Sequence, residues 1–223
     1  MFNINDKYFL PKPYLSYSAM NDFYYNRKRF QDKYYKGIES PVTPELIFGK
    51  KIGEMLEHGD ESLAHISHGD VAEKKLEFEV DGIPVLGFID SFRTEDSFIF
   101  EFKTGKTPWT QGRVDKHFQL DVYSLGVETI EGKVNDECML VWMETRRVNI
   151  PRNGRSTHSA DYGIEFTGKV KEFTRTITST DRETAYNKII TIAQDISEDY
   201  TDWLSMEEQK TQSQSAVRGG RGV

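Results

Sequence analysis

The residues best suited to chemistry lie between Gly87 and Tyr123. Gly87-Phe88-Ile89-Asp90 ends an apolar run in a carboxylate, Phe98-Ile99-Phe100-Glu101-Phe102-Lys103-Thr104-Gly105 carries Glu-x-Lys, and Gln119-Leu120-Asp121-Val122-Tyr123 sets Gln and Tyr one helical turn apart. Side chains alternate faces along a strand, so Phe98, Phe100 and Phe102 share one face while Ile99, Glu101 and Lys103 share the other. The carboxylate and the ammonium are then about 7 Å apart, at roughly 3.3 Å per residue. The short polar link Arg93-Thr94-Glu95-Asp96-Ser97 turns the chain back and brings Asp90 beside Glu101. Two carboxylates and a lysine on one patch suit a hard divalent cation, which takes oxygen ligands and keeps several waters. Such an ion polarises a phosphate and lowers the pKa of a bound water. A lysine beside it orients that water or stabilises developing negative charge. Taken alone, Asp and Glu-x-Lys also fit a surface strand that alternates charged and apolar side chains. Three further features favour the site: the glycine three before Asp90, Thr-Gly directly after Lys103, and Gln-x-x-x-Tyr on the next helix.

This series resembles the PD-(D/E)XK nuclease superfamily, in its RecB-like exonuclease branch, which includes the CRISPR-associated iron–sulfur nucleases. The family order is Gly-hydrophobic-x-Asp, (Asp/Glu)-x-Lys-Thr-Gly and Gln-x-x-x-Tyr. It is matched by Gly87/Asp90, by Glu101/Lys103/Thr104/Gly105 and by Gln119/Tyr123, and the resemblance spans residues 15–145. It implies an α/β fold with a restriction-endonuclease-like core, a mixed central sheet with an antiparallel meander flanked by helices. It also implies that Asp90 and Glu101 bind Mg²⁺ or Mn²⁺, with the Phe102 carbonyl as a further ligand. Lys103 would serve the attacking water, and Gln119 and Tyr123 would steady the site or touch the nucleic-acid backbone. Two departures stand out. The family's Gly-x-x-x-His helix is matched by Gly49 and Gly53, so a glycine occupies the histidine position; Glu54, Glu57 and His58 are nearby substitutes, or simply an exposed helix end. The iron–sulfur members carry a cysteine near the middle of the first helix. That region here reads Tyr24-Tyr25-Asn26-Arg27, and Cys138 is the chain's single cysteine, so no iron–sulfur cluster is expected.

The elements that must position these residues can be read from periodicity and punctuation. Residues 1–14 read as a loop with Pro11 and Pro13. Ser18 is the expected N-cap of a helix over 19–36, with Met20, Phe23, Tyr24, Phe30 and Tyr34 at helical spacing and Gly37 as its stop. Thr43, Pro44 and Gly59 bound a second helix whose buried stripe is Phe48, Ile52, Met55 and Leu56. Residues 75–80 and 85–92 read as strands joined by Asp81-Gly82, a hairpin turn. With 98–103 they make a three-stranded meander. A helix from about Val114 to Thr129 places Val114, Phe118, Val122 and Leu125 toward the core, and Lys116, Gln119 and Tyr123 on another stripe. The apolar run 137–144 suits a buried strand paired in parallel after a helical crossover, with Cys138 as packing. Residues 146–161 read as a loop whose Arg146, Arg147, Arg152, Arg155 and His158 face phosphates or solvent. Residues 162–167 and 170–177 read as a hairpin across Gly168-Lys169. Thr180 with Glu183 opens a last helix over 181–204, and the Gln-, Ser- and Gly-rich tail is expected to be disordered. The expected domain map is a loop at 1–14, a nuclease domain at 15–206 and a tail at 207–223.

With 223 residues, 37 % hydrophobic and 29 % charged, the chain suits one soluble domain with a substantial core. It holds no apolar run near the roughly 20 residues of a membrane span, and its first residues do not resemble a signal peptide. A cytoplasmic protein without a membrane partner is expected. The net charge of −7 argues against non-specific coating of nucleic acid. A local basic rim can still operate on an acidic protein: Arg27, Lys28 and Arg29, then Lys50 and Lys51, then Lys106, Arg113 and Lys116, each otherwise a solvated surface residue. No P-loop is present, so a helicase motor is not on this chain. The reading is a metal-dependent DNA exonuclease in recombination, repair or viral DNA processing. Its partners are DNA ends, single- or double-stranded, and a helicase or recombination protein. Two alternatives stay open: a weakly active or inactive nuclease-fold module for DNA binding or assembly, and an endonuclease of the same superfamily.

Overall fold

The computed structural model describes residues 2–149 and 162–219, with side chains through residue 212. Its elements in order are β1 (Phe2–Ile4), β2 (Tyr8–Leu10), α1 (Tyr17–Tyr25), α2 (Arg27–Phe30), a π-turn (Gln31–Tyr35), α3 (Pro44–Glu57), a 3₁₀ turn (Glu61–Leu63), β3 (Val71–Val80), β4 (Ile83–Arg93), β5 (Phe98–Gly105), α4 (Gln111–Val114), α5 (Phe118–Glu131), β6 (Glu137–Asn149), β7 (Tyr162–Thr176) and α6 (Ser179–Gly219). The fold is α/β. A five-stranded sheet runs β3-β4-β5-β6-β7. It is mixed: β4 and β7 run antiparallel to β5 and β6, which pair in parallel across the α5 crossover. This is the architecture expected from the sequence.

By compactness the chain forms two units, Met1–Glu39 with Phe78–Leu86 and Tyr186–Val223, and Ser40–Glu77 with Gly87–Ala185. In the first, the β1–β2 hairpin is tied to the tip of the β3–β4 hairpin by Lys7 and Tyr8 on Asp81, and Phe9 N–H donates to Ser197 Oγ at 2.9 Å. Phe30, Tyr34, Tyr35, Tyr200 and Trp203 form an aromatic cluster, with Tyr35 OH donating to Asp199 at 2.8 Å. The first helix differs from expectation. Its cap is Ser16, whose Oγ accepts Ala19 N–H, and it breaks at Asn26. Asn26 leaves helical geometry because its own side chain caps the next turn through Arg29 N–H.

The second unit holds the residues of interest. Thr43 Oγ1 caps α3 through Leu46 N–H, Pro44 occupies the first turn, and Gly59 follows the end at φ 66°. Ile52 and Leu56 pack with Val141 and Met143, while Phe48, Met55 and Phe102 close in around them. This covers one sheet face with α3. In the first unit, Asp81 and Gly82 both have positive φ, 51° and 76°, as a two-residue hairpin turn requires. The expected helix from Val114 is instead a short α4 and then α5, which ends on Gly132 at φ 68°. Two further differences lie in β6 and β7. β6 continues past residue 144 to Asn149, and β7 is one strand rather than a hairpin across Gly168-Lys169. Gly168-Lys169 forms a bulge instead, because β6 is long enough to pair with both halves. The register steps from Met143↔Val170 to Thr145↔Phe166, and Glu144 fills the step through Thr167 Oγ1 at 3.0 Å and Lys169 Nζ at 3.1 Å. α6 runs on through Gly219, past the end at Leu204 that the apolar spacing marks.

Candidate active site

The site is built where two strands part. The β4–β5 ladder runs Arg93↔Phe98, Phe92↔Ile99, Ser91↔Phe100, and stops. β5 continues on its other edge with β6 as far as Gly105↔Glu144. The next pair across the fork would be Asp90 and Glu101. Here the Asp90 side chain takes the place of the missing backbone partner: Oδ2 accepts Phe102 N–H at 2.7 Å. The N–H and C=O of a strand residue point to the same side, so the Phe102 carbonyl is also turned toward Asp90.

Glu101 lies under α5 and is 1 % exposed. Its Oε1 accepts Lys103 Nζ at 2.5 Å, and Lys103 Nζ also donates to Gln119 Oε1 at 2.9 Å. Gln119 Nε2 donates to Tyr123 OH at 2.9 Å. The four residues thus form one chain, Glu101–Lys103–Gln119–Tyr123, with the last two a turn apart on α5 and buried. Gly87 makes room for it, because a Cβ there would stand 2.8 Å from Tyr123 Cε1.

Glu101 Oε2 is buried and has no hydrogen-bond partner among the described residues. Burial pushes the Glu101 pKa up to about 8; Lys103 opposes the shift and Asp90 adds to it. The Asp90 pKa is raised too, mainly by burial, with the Phe102 amide holding it down and Glu73 pushing it up. The Tyr123 hydroxyl is raised by burial and by Glu101. A buried carboxylate oxygen without a donor, beside a second carboxylate, is costly unless a proton or a cation sits there. The Asp90 and Glu101 carboxylates and the Phe102 carbonyl offer oxygens, so Mg²⁺ or Mn²⁺ fits this set better than a softer ion. Among the described residues no three His, Cys, Asp or Glu side chains are grouped to hold a metal by themselves. A Mg²⁺ site needs only one or two carboxylates, with water and substrate oxygens completing it.

Asp90 opens onto a cleft of about 100 Å³ lined also by Gly49, Gly53, Glu73, Phe102 and Thr104. A Cβ on Gly49 of α3 would lie in ordinary contact, 3.5 Å, with Thr104 Oγ1 of β5; at Gly53, among the described residues, nothing outside the helix lies within 4 Å of that position. Gly53, where the resembling family carries histidine, lines two clefts together with Asp90. Of its neighbours, Glu57 lines an adjoining cleft of about 220 Å³ with Asp90. Glu54 pairs with Lys50 at 3.7 Å, and His58 Nδ1 lies 2.6 Å from the Glu54 carbonyl at the helix end.

Several contributors were not evident from the sequence. Glu73 lies in β3 at φ 46°, in the left-handed region, and its charge reaches Asp90. Arg175, 7 % exposed, donates to the Val114 and His117 carbonyls and pairs with Asp121 at 2.5 Å, which fixes the start of α5. No motif marks either residue. The expected loop over 146–161, whose arginines face phosphates or solvent, needs correction at its start. Arg146 and Arg147 are both on β6, where Arg146 pairs with Glu165 at 3.1 Å and Arg147 with Glu45 at 2.8 Å. Arg152, Arg155 and His158 lie outside the described residues. In the first unit, Arg27 and Arg29 pair with Asp199 and Asp22, while Lys28 is exposed. Among the described residues no helix is long and apolar enough to cross a membrane.

No protein-family model matches the sequence, and no curated protein matches it either. Solved structures with some similarity to the chain are known at low sequence identity. One, from Eubacterium rectale and described as a "Putative exonuclease", has 12 % sequence identity and a TM-score of 0.49, over 88 % of this chain and 88 % of that one. A second, SSO0001, has 12 % identity and a TM-score of 0.44, over 84 % of this chain and 80 % of that one.

Proposed function

We propose that this chain hydrolyses phosphodiester bonds of DNA with a divalent cation, as a PD-(D/E)XK nuclease of the RecB-like branch acting from DNA ends. The observation that carries the reading is Glu101. It is a fully buried carboxylate with one oxygen on Lys103 and the other without a hydrogen-bond partner among the described residues, next to Asp90 at a strand fork. Asp90 and Glu101, with the Phe102 carbonyl, would hold the ion. When bound there, Mg²⁺ or Mn²⁺ supplies Lewis acidity toward a phosphate oxygen and a lowered pKa for attacking water. Lys103 contributes a positive charge next to the reacting phosphate, where negative charge grows in the transition state. Gln119 fixes the ammonium, and Tyr123 fixes Gln119. Because these groups are already bonded to one another, they lose little freedom when substrate arrives. Recombination, repair or viral DNA processing is the setting, with a helicase or recombination protein as a fitting partner.

Gly53 in place of a histidine favours a second reading, a nuclease-fold DNA-binding module with weakened metal affinity. One experiment separates the two. End-labelled linear single- and double-stranded DNA and closed circular DNA are incubated with Mg²⁺ or Mn²⁺, using native protein and Lys103→Ala. Loss of linear DNA alone, dependent on metal and on Lys103, supports an exonuclease. Cleavage of the circle supports the related endonuclease. Binding of DNA without any cleavage sinks the hydrolase reading in favour of the module.

A further inference from the structure

We propose that the connection between β5 and α5 grips the phosphate backbone of the substrate strand. Arg113, propped on Trp109, is the fixed clamp, with Lys106 and Lys116 beside it. This rests on the nuclease reading and names the surface through which that site would hold DNA.

The first argument is charge that has been left unneutralised. Among the described residues the other exposed arginines are answered by a carboxylate: Arg27 by Asp199, Arg29 by Asp22, Arg146 by Glu165 and Arg147 by Glu45. Arg113 is exposed and held differently. Its guanidinium lies over the Trp109 ring, 4.2 Å from the centroid, and Nη1 donates to the Pro108 carbonyl at 3.3 Å. Neither contact cancels its charge. Lys106 and Lys116 are exposed, and among the described residues neither forms an ion pair. The one acid within the segment, Asp115, accepts Gln111 Nε2 at 2.8 Å. A guanidinium oriented by stacking keeps its planar fork ready for two phosphate oxygens, which a lysine cannot match.

The second argument is placement. Lys106 follows Lys103 by three residues, and His117 precedes Gln119 by two. The cationic segment therefore joins the two elements that carry the site. It is also rigid. Val114 is fully buried, Arg175 holds the carbonyls of Val114 and His117, and Gln111 Nε2 donates to the Thr174 carbonyl at 2.8 Å. A clamp ordered before binding loses less entropy on binding. The half-buried His117 at the end of the segment reports the local field. Its pKa is pushed down to about 3, first by burial and then by the charges of Lys103, Arg175 and Arg113. Contacts of this kind position a strand without reading its sequence.

The test is equilibrium binding of labelled single-stranded and duplex oligonucleotides in EDTA, by fluorescence anisotropy across a salt series. Cleavage assays on the same variants run in parallel. Arg113→Ala is expected to bind about tenfold more weakly at low salt, with the slope of log K against log salt reduced by about 0.7 for a single strand or 0.9 for a duplex. Arg113→Lys should recover only part of the loss. Lys75→Ala, at an exposed lysine already paired with Glu77, should bind like native protein. Which oligonucleotide responds identifies the strand form that is held. Native-like binding and salt slope in Arg113→Ala, while native protein cleaves DNA, overturns this surface and leaves the nuclease intact. Native protein that neither binds nor cleaves removes the nuclease reading and this surface with it.

Discussion

The ring of Tyr123 stands 2.8 Å from the point a Cβ on Gly87 would occupy. The contact explains why the strand leading to Asp90 carries glycine three residues earlier. Tyr123 is 5 % exposed and its hydroxyl receives Gln119, so the ring has little freedom to retreat. Gly87→Ala is expected to cost about 1–3 kcal/mol of stability, as overpacking does, and to lower DNA hydrolysis by displacing Gln119 from Lys103. Gly53→Ala is the contrast, because among the described residues its Cβ would meet nothing outside α3 within 4 Å. It should gain about 0.5–1 kcal/mol, the usual difference between alanine and glycine in a helix. Denaturant unfolding of both variants checks the pair. Equal stabilities would remove the steric account of Gly87.

Asp90 has two roles that substitution can separate. Its carboxylate accepts Phe102 N–H at the strand fork, and it is a proposed cation ligand. Asn keeps an oxygen for the amide and loses the charge. Ala loses both and leaves the amide without its partner, a cost of about 1–3 kcal/mol. Both variants should be inactive in the nuclease assay, while only Asp90→Ala unfolds at clearly lower denaturant. If Asp90→Asn retains hydrolysis, the carboxylate is not a ligand.

How much of this was legible in the sequence follows from how local each signal is. The fork residues Asp90, Glu101 and Lys103 could be placed because strand alternation and a short polar link fix their relation within a few residues. Thr43-Pro44 and Asp81-Gly82 are equally local and located a helix start and a turn. β7 was misread because Gly168-Lys169 is a turn signal on its own terms; only the length of its partner, β6, makes it a bulge. Glu73, Arg175 and the Arg113–Trp109 stack depend on contacts across the fold or on a single backbone angle, and no periodicity encodes those.

Arg175 gives that last point an energetic form. It sits on β7 and answers Asp121 and two carbonyls at the start of α5. Removing one partner of a buried pair leaves the other charge and its acceptors stranded. Arg175→Ala should therefore lose about 3–5 kcal/mol, measured by thermal or urea unfolding. Substitution of exposed Lys28 should change nothing measurable. A small effect at Arg175 would mean that water replaces it easily and that α5 is positioned by apolar packing alone.

The carboxylate pair also predicts how stability responds to pH. Burial raises Glu101 from 4.5 to about 8 and raises Asp90 in the same direction. An acid with a raised pKa holds its proton more tightly in the folded state than in the unfolded chain. That contribution is complete below pH 4.5 and is lost as pH climbs toward about 8. Metal-free native protein should therefore lose stability across this window relative to Glu101→Gln, which has no proton to release. Mg²⁺ or Mn²⁺ should flatten the native curve by displacing the proton, and its binding should release protons and strengthen with pH. Thermal unfolding in EDTA and with metal, plus calorimetry in buffers of different ionisation enthalpy, measures both. Parallel curves for the two proteins would show that Glu101 titrates normally.

The open position at Gly53 offers a gain-of-function test of the proposed metal site. Gly53 lines both clefts onto which Asp90 opens, and among the described residues nothing outside the helix lies within 4 Å of its Cβ position. A histidine there has room to enter and would restore the residue that the resembling family carries. Imidazole is a better ligand for Mn²⁺ than for Mg²⁺. Gly53→His is therefore expected to tighten Mn²⁺ about tenfold, to change Mg²⁺ affinity far less, and to raise the unfolding temperature in Mn²⁺ alone. Calorimetric titration of metal-free protein reads all three without relying on catalysis. The same gain in an Asp90→Asn background would place the new ligand on an ion that Asp90 does not hold. Loss of the gain there ties residue 53, Asp90 and the cation to one site.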